Sequence, residues 1–142
     1  VRLLSRHVNA RLVPGSHQIL TTLAAELEAY FAAEGHTFSV PLQLLGTPFQ
    51  QQVWEAVLAI PYGVTRSYAE LATSIGRPTA ARAVARSNGD NRLAIIIPCH
   101  RVIGADGSPT GYGGGVWRKQ RLLELEAGSA SVGQAASAGK SP

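Results

Sequence analysis

The 142-residue chain has one cysteine, Cys99. A single thiol excludes an intrachain disulfide framework and a cysteine-rich zinc cluster, so apolar burial and hydrogen bonds must hold the fold. His7, His17, His36 and His100 show no metal-ligand spacing, which predicts no required metal. Hydrophobic residues make up 45% of the chain and charged residues 15%, the balance of a soluble globular protein. The length suits one ordinary domain, or a small domain with part of another. No apolar run reaches the roughly 20 residues needed to cross a bilayer. The opening Val1-Arg2-Leu3-Leu4 is too short for a signal peptide. The expectation is a cytoplasmic protein with no membrane partner.

Apolar periodicity divides the chain. Residues 1–15 are mixed, with a turn at Pro14-Gly15. Ile19, Leu20, Leu23, Leu27, Tyr30 and Phe31 recur at helical spacing until Gly35. Phe38, Val40, Leu42 and Leu44 then alternate with polar residues and Pro41, which predicts a short edge strand. Leu45-Gly46-Thr47-Pro48 reads as a junction, and Phe49, Val53, Trp54, Val57 and Leu58 mark a helix that Pro61-Tyr62-Gly63 ends.

Ser67-Tyr68-Ala69-Glu70 is a capping box opening a helix with Leu71, Ala72 and Ile75, closed by Gly76. After a turn at Arg77-Pro78-Thr79 comes a second helix, residues 80–86, rich in alanine. Two short helices around a Gly-containing turn make a helix-turn-helix, although an ordinary αα-hairpin has the same outline. Charge favours the first. The net charge is +4, and residues 66–101 hold six arginines against Glu70 and Asp90. Such a stretch suits a polyanion, and alanines at 80, 81, 83 and 85 would let the helix approach a duplex closely. Ser87 to Asn91 reads as a polar turn, and Leu93 to Ile97 as a strand-like run stopping at Pro98. Residues 111–115 read as loop, 118–126 as a last helix closed by Gly128, and 129–142 as a disordered tail.

An unperturbed thiol is only a few per cent ionised at neutral pH, so reactivity needs a base or a positive charge nearby. His100 and Arg101 follow Cys99 directly. On an extended segment adjacent side chains point apart, so His100 would act through a water or after a bend. A carboxylate on its other ring nitrogen would fix the tautomer, and Glu124 and Glu126 are the downstream candidates.

Pro98-Cys99-His100-Arg101-Val102, with Ile95-Ile96-Ile97 and Asn91 before it, resembles the active-site motif of the O6-alkylguanine-DNA alkyltransferases. The resemblance extends through Gly46 to Trp54, Ile60 to Gly63, Ser67 to Ala72, Ala81 to Val84, Gly111-Tyr112 and Leu122 to Glu126. Within that family the chain is most similar to the bacterial Ogt-type enzymes and the C-terminal half of adaptive-response proteins. The resemblance implies an α/β (α+β) protein with a mainly helical active-site domain over residues 46–128. Residues 1–45 would be the end of a truncated N-terminal domain, a helix plus the edge strand.

The implied activity is direct damage reversal. Double-stranded DNA containing O6-alkylguanine would be the partner and a monomer the working unit. The lesion would flip out of the helix, and Cys99 would take its alkyl group once, irreversibly and without a cofactor; O4-alkylthymine is a second candidate substrate. Arg82 would fill the vacated place in the stack. Tyr68, Arg77, Ala80, Ala81 and Gln50 complete the implied DNA-contacting set. Tyr68 would protonate the leaving guanine, His100 would take the thiol proton through water with Glu126 orienting it, and Asn91 would tie the Cys99 turn to the helix-turn-helix. Tyr112, Val102 and Gly113 would line the base pocket, with Gly113 offering backbone only. A competing possibility is an alkyltransferase-like protein that binds the lesion without chemistry, but such proteins lack the acceptor cysteine. A sequence-specific regulator would need base-edge readers that residues 80–85 do not offer. A cysteine hydrolase would need an oxyanion hole, and no motif for one is evident.

Overall fold

In a computed structural model of the chain, residues 11, 13–108, 112 and 115–133 are described, the last five without side chains. The chain divides into two compact units, Val1–Leu45 and Gly46–Pro142. In the first, helix α1 spans Gln18–Phe31, and His17 caps it by accepting the Ile19 N–H on Nδ1. Tyr30 is buried, edge-on to Phe31 and tilted against Phe38. The Ser39 N–H donates to Glu26 at 2.8 Å. The expected edge strand is not formed, because residues 38–44 pair with no strand among the described residues. Pro41 also removes one of the donors that such pairing would use.

In the second unit, helix α2 covers Pro48–Leu58 and starts from a capping box of Thr47 and Gln50. A Cβ on Gly46 would lie 2.7 Å from the Trp54 ring, so only glycine lets the chain pass there. Strand β1, Arg66–Ser67, lies parallel to β2, Val102–Ile103. The pair brings the start of the helix-turn-helix beside the end of the cysteine motif.

Helix α3, Tyr68–Ser74, begins at the expected Ser67–Glu70 capping box, with both hydrogen bonds at 3.0 Å. The connection to α4, Ala81–Gly89, turns at Gly76, where φ is +75° and a side chain would be strained. The sequence placed the end of α4 at Arg86. Its extra turn buries Ser87 and Asn88, and the buried Trp54 donates its indole N–H to the Ser87 carbonyl at 2.8 Å. Val53, Val57, Leu71, Ala72, Val84, Ile97 and Val102 complete a core in which each large aliphatic side chain contributes about 1.5–3 kcal/mol.

The run into Cys99 is not a strand. Residues 93–97 form a tight turn closed by Ile97 N–H to Leu93 C=O at 2.9 Å, with an isolated bridge between Ala94 and Ile97. Ile95 sits at φ +74°, strained for a β-branched residue. After a 3-10 turn, Cys99–Arg101, and β2, the last helix α5 runs Val116–Gly133. It therefore passes Gly128 and takes in the first five residues expected to be disordered. Residues 134–142 lie outside the described residues.

Candidate active site

The 93–97 turn is braced by one side chain. Asn91 Oδ1 accepts the Leu93 N–H at 2.9 Å, and its Nδ2 donates to the Ile97 carbonyl at 2.9 Å. Cys99 N–H then bonds back to Ile97 C=O, and Arg101 N–H to Pro98 C=O. From the extra turn of α4, Asn88 Nδ2 donates to the Cys99 carbonyl at 3.1 Å. The thiol is thus held by backbone and amide contacts from both sides.

Cys99 is a free thiol, 6% exposed. Burial pushes its pKa up, while a hydrogen bond from Asn91 and the charge of Lys119 pull it back. Cys99 and His100 lie on a 3-10 turn rather than on an extended segment. His100 is fully buried, and its Nε2 lies 2.5 Å from Glu126 Oε2. Glu126 also accepts Arg101 Nε at 2.8 Å, Arg101 Nη2 at 3.1 Å and the Gly63 N–H at 3.2 Å. Burial alone would raise the Glu126 pKa. The hydrogen bonds and charges of His100 and Arg101 outweigh it and hold the carboxyl at about 2. An ionised carboxylate only accepts, so the proton in this contact sits on Nε2. Nδ1 of His100 is buried and makes no hydrogen bond among the described residues. The residues alone leave Glu124 and Glu126 open and the resemblance implies Glu126, which is the one beside His100. Glu124 is exposed and accepts from Gln120 on its own helix.

Lys119 is also fully buried. Its Nζ donates to the Val102 carbonyl and lies 3.5 Å from Tyr68 Oη. Burial lowers its pKa to about 8, against the pull of the Cys99 charge. Tyr112 is half-buried, and its hydroxyl is pushed up to about 12 by burial and then by the Cys99 charge. Cys99, His100, Glu126, Asn91, Tyr68, Val102 and Tyr112 therefore converge on one region. Gly113 lies outside the described residues.

Of the residues implied to contact DNA, Tyr68 belongs to this region. Arg82 is exposed on α4, with Ala80 and Ala81 half-buried at that helix's start. Arg77 is exposed and stacks over Phe49, 5.5 Å from the ring centroid. Gln50 is occupied in the fold, since its Oε1 closes the α2 capping box and its Nε2 donates to Asp90 at 3.1 Å.

Sequence reasoning missed Asn88, which it placed in a loop, and Lys119. Lys119 had a faint signal as one of two lysines in a chain with eleven arginines. Replacing Lys119 with methionine is expected to raise the thiol pKa further and slow Cys99 alkylation by iodoacetamide several-fold at neutral pH. An unchanged rate would remove Lys119 from the thiol's electrostatics.

Residues 48–128 match the family model of the 6-O-methylguanine DNA methyltransferase, DNA binding domain. The methylated-DNA–protein-cysteine methyltransferase of Mycobacterium tuberculosis (strain ATCC 25618 / H37Rv) is 64% identical over 101 residues, 71% of this chain and 61% of the relative. The chain thus spans about three fifths of that relative's length. The crystal structure of Mycobacterium tuberculosis OGT in complex with DNA superposes with a TM-score of 0.76 at 60% identity, covering 77% of this chain and 68% of that one. Schizosaccharomyces pombe Atl1 in complex with damaged DNA containing O6-carboxymethylguanine is more distant, with a TM-score of 0.50 at 33% identity over 55% of this chain and 74% of that one. A matched model over more than half of the chain, on the residues that carry the Cys99 turn and the helix-turn-helix, shows that this chain belongs to the 6-O-methylguanine DNA methyltransferase family.

Proposed function

We propose that the chain repairs alkylated DNA by moving an alkyl group from O6 of guanine onto Cys99, once per molecule. The observation that carries this reading is the buried thiol followed directly by a histidine whose Nε2 is committed to Glu126. That leaves Nδ1, which has no hydrogen-bond partner among the described residues, as the ring nitrogen able to take the thiol proton through a water. The sulfur then attacks the alkyl carbon, a C–S bond forms, and the C–O6 bond breaks with its electron pair passing to guanine. Tyr68 supplies the proton that makes guanine the better leaving group, and Asn91 keeps the turn in register. The donor is the DNA itself, so no cofactor enters. The thioether has no hydrolysable bond, so the protein is consumed. Flipping the lesion into reach costs a few kcal/mol of stacking, less at a damaged base, and Arg82 occupies the gap. Tyr112 and Val102 line the base pocket. A free reactive thiol suits the reducing cytoplasm. The relative's name, methylated-DNA–protein-cysteine methyltransferase, and the OGT complex with DNA support the same substrate.

The test is the intact mass of the protein after incubation with duplex DNA carrying O6-methylguanine. A gain of one methyl group, absent in Cys99→Ala, is expected; tight lesion binding without a mass change would leave a binding protein in its place. Arg82→Ala is expected to slow transfer from duplex DNA at least tenfold while sparing reaction with free O6-benzylguanine. Equal losses on both substrates would take Arg82 out of flipping.

A further inference from the structure

Next to a thiol on a DNA-binding protein, Arg101 could serve as a cation for the sulfur or for a phosphate. The structure gives it neither use. It is 7% exposed, and all three guanidinium nitrogens are engaged within the fold. Nε and Nη2 hold the two oxygens of Glu126, Nη1 donates to the Ile60 carbonyl at 2.8 Å, and the guanidinium lies over the Tyr62 ring.

We propose that Arg101 is a positioning residue for alkyl transfer, clamping Glu126 as a pure acceptor so that His100 keeps its proton on Nε2 and presents Nδ1 as the base. This rests on the alkyl-transfer reading above. The geometry is that of a fork on a carboxylate, which lysine cannot reproduce. A buried carboxylate facing histidine alone would more readily bind a proton from solvent, because burial favours its neutral form; the carboxyl would then donate to Nε2 and leave the ring proton on Nδ1. Arg101 and the Gly63 N–H fill the positions from which Glu126 would act as a base. The charged group beside the pair is Arg101 on the turn, with Tyr62 after α2 against its guanidinium; Lys119 lies seven residues before Glu126 on α5. Lys119 faces Cys99 and Tyr68, so Arg101 is the cation that bears on Glu126.

The test compares wild type, Arg101→Lys and Arg101→Met. The rate of methyl transfer from a duplex oligonucleotide with one O6-methylguanine is followed from about pH 5 to about pH 9. Without the cation, the His100–Glu126 pair takes up a proton at higher pH and loses its capacity for the thiol proton. The acid limb of Arg101→Met should move up by about one pH unit, about a tenfold loss on that limb, whereas Arg101→Lys should move less. A purely structural arginine would lower the plateau and leave the limb in place, and a coincident limb overturns the proposal.

Should Arg101→Met fail to fold, the 15N spectrum of His100 in Arg101→Lys decides. Wild type should show protonated Nε2 and bare Nδ1, and Arg101→Lys a mixture of tautomers. The same single tautomer in both proteins overturns the proposal. That spectrum needs no substrate, so failure of wild type to accept a methyl group would strike the functional reading and leave this one to be judged separately.

Discussion

Glu126→Gln is expected to destabilise the second unit by about 3–5 kcal/mol, the cost of leaving a buried cation without its partner. Arg101 would keep its bond to Ile60 C=O but lose the carboxylate that accepts from both Nε and Nη2. The glutamine NH2 group would meet a donor where an oxygen stood. Alkyl transfer should fall by at least tenfold as well, because His100 loses the acceptor that orients it. The pH dependence gives an independent signature. Glu126 titrates at about 2 in the fold against an ordinary 4.5, so its stabilisation is fully present above 4.5 and is lost as pH falls toward 2. Urea unfolding of wild type should therefore weaken across that window more steeply than unfolding of Glu126→Gln. Parallel acid profiles for the two proteins would contradict the assignment.

The second large effect is expected at Trp54. Trp54→Ala empties a site that is 3% exposed and should cost about 3–5 kcal/mol. Trp54→Phe separates packing from the hydrogen bond to Ser87 and should cost about 0.5–1.5 kcal/mol for the bond. The Ser87 carbonyl still accepts from the Asp90 N–H, so it is not left without a donor. Because Ser87 adjoins Asn88, whose amide holds the Cys99 carbonyl, Trp54→Ala should also loosen the thiol turn. Faster exchange of the Cys99 and Arg101 amides in deuterated buffer would report this. Unchanged exchange would mean that the turn is braced without help from α2.

What was legible in the sequence was local. The capping box at Ser67 and Glu70 needs only four residues to recognise, and the helices on either side of Gly76 follow from its position. What was not legible depends on distant partners. The apolar run 93–97 has the composition of a strand, yet Asn91 folds it into a turn by holding both Leu93 and Ile97, at the cost of a strained Ile95. Residues 38–44 alternate as a strand should, but alternation alone supplies no neighbour. In the site, Cys99 and His100 were visible as a pair. The choice of Glu126 over Glu124 became a matter of geometry only when α5 turned one glutamate inward and left the other in solvent. Arg101 was read as a neighbour of the thiol and is instead the partner of Glu126. Consecutive positions on a 3-10 turn point different ways, and sequence adjacency does not convey that.

The central claim is that Cys99, braced by the Asn91 turn and followed by the His100–Glu126 pair, accepts an alkyl group and is spent. It is tested most directly by titrating the protein with excess duplex DNA bearing O6-methylguanine, counting guanines restored per protein, and mapping the modified residue by peptide mass. The account predicts one guanine restored per molecule and one methyl group, on Cys99. More than one restored guanine per molecule, or a methyl group on any other residue, would contradict it.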